Sequence, residues 1–153
     1  MEIKTSNSTV NFTIKKLFFL TVEGKLPGVI GTVNWNENDL STSNVELQIP
    51  LANLDTKNAK RNEHLKQKDF FNVAEYPKIV FSSNEITKEN NQFWVNGLLM
   101  IAGTTNNIKF PFQLKDGNIT GKLSLDRNDF KVGKIPSFIA SNIVNITFNC
   151  LIS

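Results

Sequence analysis

Apolar and polar residues alternate along most of this chain, and that two-residue period constrains the fold more than any other feature. Successive side chains of an extended strand point to opposite faces, so a period of two marks strands with one dry and one wet face. Val10, Phe12 and Ile14 alternate with Thr9, Asn11 and Thr13, and Val45, Leu47 and Ile49 alternate with Asn44, Glu46 and Gln48. Phe93, Val95, Leu99 and Ile101 share a phase with Gly97, while Ile108, Phe110, Phe112 and Leu114 alternate with Lys109, Pro111 and Gln113. Pro111 has no N–H to give to a ladder and predicts a sheet edge or a bulge. Ile119, Leu123 and Leu125 share a face with Gly121, and Val144, Ile146, Phe148, Cys150 and Ile152 form a last strand.

Further strands are expected over residues 29–35 and 78–86, and the apolar run at 15–22 reads as strand. Turn-forming residues stand between the runs, at 34–38, 89–91, 106–107 and 115–118. About eight strands with one dry face each predict an all-β fold, a closed antiparallel barrel, with a sandwich as the structural rival. Residues 58–68 break the alternation and read as one short polar helix, in which Leu65 is the only large apolar side chain. Such a helix belongs on the surface or across a mouth of the barrel, with Phe70 and Phe71 as anchors. No repeat or linker divides residues 1–153, so a single domain is expected.

Composition excludes several function classes. A formal net charge of +3 without an arginine-rich stripe argues against nucleic acid as a partner. No transmembrane segment is read, because 40% hydrophobic with 20% charged residues is an ordinary balance for a globular chain. The apolar run at 15–22 starts too late and lacks a cleavage site for a leader, which leaves a cytoplasmic protein or a periplasmic or secreted one whose leader was removed. A lone cysteine, Cys150, permits no disulfide within the chain. Four Asn-x-Ser/Thr triplets, starting at Asn7, Asn11, Asn118 and Asn145, match what 21 asparagines produce by chance.

Six short segments carry a resemblance. They are Ser8-Thr9-Val10-Asn11-Phe12-Thr13-Ile14 with Glu23-Gly24, then Asn53-Leu54-Asp55-Thr56, then Arg61-Asn62-Glu63-His64-Leu65-Lys66 with Asp69-Phe70-Phe71. Tyr76-Pro77-Lys78-Ile79-Val80-Phe81-Ser82-Ser83, Gly97 through Thr105, and Asp126-Arg127-Asn128-Asp129-Phe130 follow. In this order they resemble the YceI-like, lipocalin-like family. The resemblance implies a closed barrel with a helical insert around a hollow apolar interior. It further implies a bound polyisoprenoid or isoprenoid quinone-like chain, often in an exported protein. Asn62, Lys66, Gln67, Asn72, Met100, Ala102 and Lys131 depart from the family pattern at polar positions, which bears on head-group recognition and not on the barrel.

The expected function is therefore non-enzymatic binding of a long-chain lipid for carriage, storage or sequestration. An enzyme acting on a lipid, or a protein-binding barrel with a filled core, are the alternatives. Alternation alone does not separate a filled core from a tunnel. On the resemblance, an apolar tunnel is expected from Phe12, Ile14, Val45, Leu47, Ile49, Phe81, Phe93, Val95, Leu99, Phe110, Phe112, Leu123, Val144, Ile146 and Phe148. Gly97 and Gly121, small residues among large ones, are read as leaving room for the ligand. Arg61 and His64, among Lys60, Lys66 and Lys68, form a candidate head-group rim. Arg127 is read as a structural tie to carboxylates such as Asp126 or Asp129. No catalytic or metal-binding set is visible, no cofactor besides a bound lipid is expected, and a homodimer is left open.

Overall fold

A computed structural model describes residues 1–16, 20–133 and 140–153. Among the described residues, nine antiparallel strands form one sheet in the order β2-β1-β9-β8-β7-β6-β5-β4-β3. They are β1 (Thr9–Lys16), β2 (Thr21–Lys25), β3 (Ile30–Asn34), β4 (Asn44–Pro50), β5 (Lys78–Glu89), β6 (Gln92–Ile101), β7 (Thr104–Lys115), β8 (Asn118–Asp126) and β9 (Ala140–Leu151). The run at 15–22, read as one strand, is split: Lys15 of β1 pairs with Thr21 of β2, and residues 17–19 lie outside the described residues.

The sheet curls into a half-barrel and is not the closed barrel that alternation predicts. β2 and β3 remain edge strands without a ladder between them. At one end the N-terminal residues stitch the gap: Glu2 bridges to Thr32 of β3 and Ile3 bridges to Ile152 beyond β9. Leu26–Val29, which join the two edges, turn inward, and Leu26 and Val29 are buried. Strand alternation specifies faces but not which strands meet, so it does not distinguish closure from an open curl.

Three of the hairpins turn on two residues with positive φ, the geometry that matches strand twist. They are Asn90-Asn91 (φ 50° and 62°), Ala102-Gly103 (φ 49° and 84°) and Asp116-Gly117 (φ 52° and 78°). The turn expected at Asn106-Asn107 is instead strand, paired with Leu99 and Leu98 of β6. In β5 a register shift between Ser83 and Glu85 changes the phase, so that Phe81 before it and Ile86 after it are both buried.

The helix α1 (Ala59–Leu65) is shorter than the 58–68 expected. Asn58 caps it, its side-chain oxygen accepting from the Arg61 N–H at 3.0 Å. Leu65 packs on the core, as do Phe71 and Val73 after the helix.

Candidate functional site

The inner faces of the strands enclose a cavity of about 140 Å³, and among the described residues every side chain lining it is apolar, the Cys150 thiol included. Eleven of the fifteen tunnel residues expected from sequence line it: Val45, Leu47, Ile49, Phe81, Val95, Leu99, Phe110, Phe112, Leu123, Ile146 and Phe148. Phe12, Ile14, Phe93 and Val144 do not. The Phe12 ring lies across Gly24, its partner in β2, and Ile14 and Val144 face each other in the β1–β9 ladder. Phe93 stacks on Phe112 at 5.5 Å and meets Trp35 edge-on at 5.0 Å, so it backs two lining rings without reaching the cavity.

Sequence reasoning missed other lining residues. Ile108, Ile119, Leu125 and Cys150 stand in the inner phase of strands already read, so alternation extended along each strand finds them. Ile3 and Leu26 lie outside the strands and carry no periodic signal, whereas Val29, just before β3, is in phase with Val33 and Trp35 of the strand expected over 29–35.

Burial differs across the cavity. On β3 to β6 the inward residues Val33, Ile49, Phe81, Val95 and Leu99 are buried, while Val45 and Leu47 of β4 are half-buried. On β7 to β9, Ile108, Phe110, Ile119, Leu123, Leu125, Ile146 and Phe148 face the same cavity and are half-buried, while Phe112 and Cys150 are buried. A filled core would bury the half-buried side chains fully. Most of the half-buried lining thus lies on the β7–β9 wall. Phe110 bridges its two sides, with ring centres 5.5 Å from Phe81 and 5.7 Å from Phe148.

The glycines do not supply this space. A Cβ on Gly97 would overlap the Ser82 carbonyl and come within 2.8 Å of the Phe81 ring. One on Gly121 would overlap the Phe148 ring. The room expected at both positions is already filled by aromatic rings from neighbouring strands.

Neither Arg61 nor His64 lines the cavity. Arg61 donates through Nε to the Thr56 hydroxyl at 2.8 Å and through Nη2 to the Thr56 carbonyl at 2.5 Å. Thr56 is buried and in turn donates its hydroxyl to Asn62 Oδ1 at 2.6 Å. The Lys57 N–H and then the Asn62 amide, both donating to Asp55, hold its carboxyl below the ordinary value. Arg61 is thus engaged in a knot that ties α1 to the preceding loop. His64 is exposed, its ring edge-on to Phe70 at 5.1 Å.

Arg127 is structural, as read, but its described bonds go to backbone. It is buried and donates to the carbonyls of Val132, Gly133, Ala140 and Ser141 at 3.2 to 3.5 Å. Among the described residues, Cys150 is the one ionisable group lining the cavity. Burial, partly opposed by the Ser8 hydroxyl, pushes its thiol up to about 11, which leaves little thiolate at neutral pH. Among the described residues no group of three or more His, Cys, Asp or Glu is placed to hold a metal ion.

Residues 1–151 match the YceI-like domain. A UPF0312 protein of Photorhabdus laumondii is 31% identical over 105 residues, 69% of this chain and 55% of that protein. The chain spans about half the length of the curated relatives it matches. Among solved structures, BcnA of Burkholderia cenocepacia superposes with a TM-score of 0.91 at 22% identity, covering 99% of each chain. A polyisoprenoid binding domain from Saccharophagus degradans superposes at 0.74 with 15% identity, covering 97% of this chain and 95% of that one. At these identities the solved structures bear on the fold.

Proposed function

The chain belongs to the YceI-like family, and from that premise we propose that it binds a long apolar lipid, a polyisoprenoid or isoprenoid quinone-like chain, in the half-barrel and leaves it chemically unchanged. The observation that carries this reading is the apolar cavity inside the sheet, whose lining on β7 to β9 is mostly half-buried. The polyisoprenoid-binding description of the Saccharophagus degradans neighbour supports the choice of ligand class. The cavity of about 140 Å³ is close to the roughly 150 Å³ that holds a benzene ring. A longer chain therefore requires the half-buried rings of Phe110 and Phe148 to swing aside. Burying about ten methylene-sized units at about 0.8 kcal/mol each supplies about 8 kcal/mol. That falls within the association cost of about 4 to 15 kcal/mol. Useful affinity therefore demands that most of the chain be enclosed.

Organic extraction of the purified native protein followed by mass spectrometry tests the reading. Intact isoprenoid in stoichiometric amount is expected, and Leu123→Asp, which puts a carboxylate into the hollow, is expected to lose it while remaining folded. An altered product would indicate an enzyme, and an extract without lipid would indicate a filled core.

A further inference from the structure

The β7–β8 ladder stops after three pairs: Lys115 with Asn118, Leu114 with Ile119, and Gln113 with Thr120. Beyond them β7 remains bonded to β6, and β8 to β9, along their lengths. The two strands keep their form and part from each other. Pro111 accounts for the place. Its carbonyl lies 2.8 Å from where a Cβ on Gly121 of β8 would sit, so it points toward β8. An extended residue directs its N and O to the same edge, so Pro111 lacks a donor on the side where the ladder ends.

The parting leaves a groove of about 610 Å³ between the strands. Asn106, Asn107, Lys109, Ser124, Asp126 and Asp129 give it a polar lip. Its floor is Ile108, Phe110, Leu123 and Leu125, and the same four side chains line the apolar cavity. The far end is pinned, because the Asn106 amide donates to the Asp129 carbonyl at 2.6 Å. The groove is thus a bounded window in which side chains, and not a backbone ladder, separate solvent from the hollow. Side-chain rotamers flip in picoseconds to nanoseconds, whereas parting a paired ladder breaks several hydrogen bonds together.

We propose that this window between β7 and β8 is the lateral portal through which a long apolar chain passes into and out of the half-barrel, its polar head staying at the lip. The proposal rests on the lipid-binding reading above. Lys109 and Ser124 are exposed and fall opposite each other if the β7–β8 register is continued, so Lys109→Cys with Ser124→Cys places two thiols across the window. Cys150 stays buried.

Uptake of a dansylated C15 isoprenoid alcohol is followed by stopped-flow fluorescence before and after bridging the pair with a short bis-maleimide. Bridging is expected to slow uptake and release by about tenfold or more, with equilibrium affinity nearly unchanged. Uptake at the unbridged rate would overturn the portal while leaving the lipid reading intact. Failure of the parent protein, with Lys109 and Ser124 in place, to bind the probe at all would overturn both. If bridging unfolds the protein, Pro111→Val, which restores the missing donor, carries the test: slower uptake supports the portal and an unchanged rate overturns it.

Discussion

The ring of Phe148 covers Gly121, the residue directly opposite it in the β8–β9 ladder, and occupies the place where a side chain on Gly121 would stand. The same arrangement joins Phe12 to Gly24 across β1 and β2. Each glycine lets an aromatic ring lie flat against the backbone of the next strand. Gly121→Ala is therefore expected to destabilise the fold by roughly 1 to 3 kcal/mol, as overpacking does. Gly97→Ala, which meets the Ser82 carbonyl and the Phe81 ring, is expected to cost at least as much. Denaturant melts of lipid-free protein check both, and unchanged midpoints would refute the ring-over-glycine account.

Arg61 and His64 separate in role although they are three residues apart on α1. Arg61→Ala removes two hydrogen bonds from buried Thr56 and is expected to cost about 1 to 2 kcal/mol. For a chain of this size that lowers Tm by roughly 3 to 6 °C. His64→Ala, at an exposed position, is expected to leave Tm within about 1 °C. Thermal melts of the two variants side by side decide; equal losses would return His64 to the scaffold.

Cys150 supplies a pH dependence. Its folded pKa of about 11 stands above the ordinary value of 9.0, so the folded state favours the neutral thiol. The stabilising contribution is complete below pH 9.0 and is lost as pH rises toward 11. The difference in Tm between the parent and Cys150→Ala is expected to shrink over that window, which a series of melts from pH 8 to 11 measures. A constant difference would show that the thiol does not titrate in place.

The lip of the β7–β8 window carries Asp126 and Asp129 against Lys109, whose ammonium already bonds Glu89 at 3.3 Å and sits over the Trp94 ring. An isoprenoid alcohol is expected to bind about tenfold more tightly than the diphosphate of the same length, a difference that added salt narrows. Competition against the dansylated probe measures it. Tighter binding of the diphosphate would move the head group away from this window, toward the cations around α1.

The sequence by itself determined most of the strands, their faces and about half of the hollow's lining. Side chains alternate about an extended backbone whatever lies beside it, so Val45, Leu47, Phe110 and Leu123 were legible as inner residues from period alone. The hairpins at Asn90-Asn91 and Asp116-Gly117 were legible for a similar local reason, since few residues accept positive φ. Pro111 was legible as a disturbance, though not as the end of one particular ladder. Only the tertiary structure decided that the sheet stays an open curl stitched by Glu2 and Ile3, and that rings fill the places above Gly97 and Gly121. It also decided that Arg61 is engaged with Thr56, and that β7 and β8 part over a shared apolar floor. Each of these depends on which distant segments meet and in what register. A period of two carries no information about that, because every strand with the same alternation presents the same face to any neighbour.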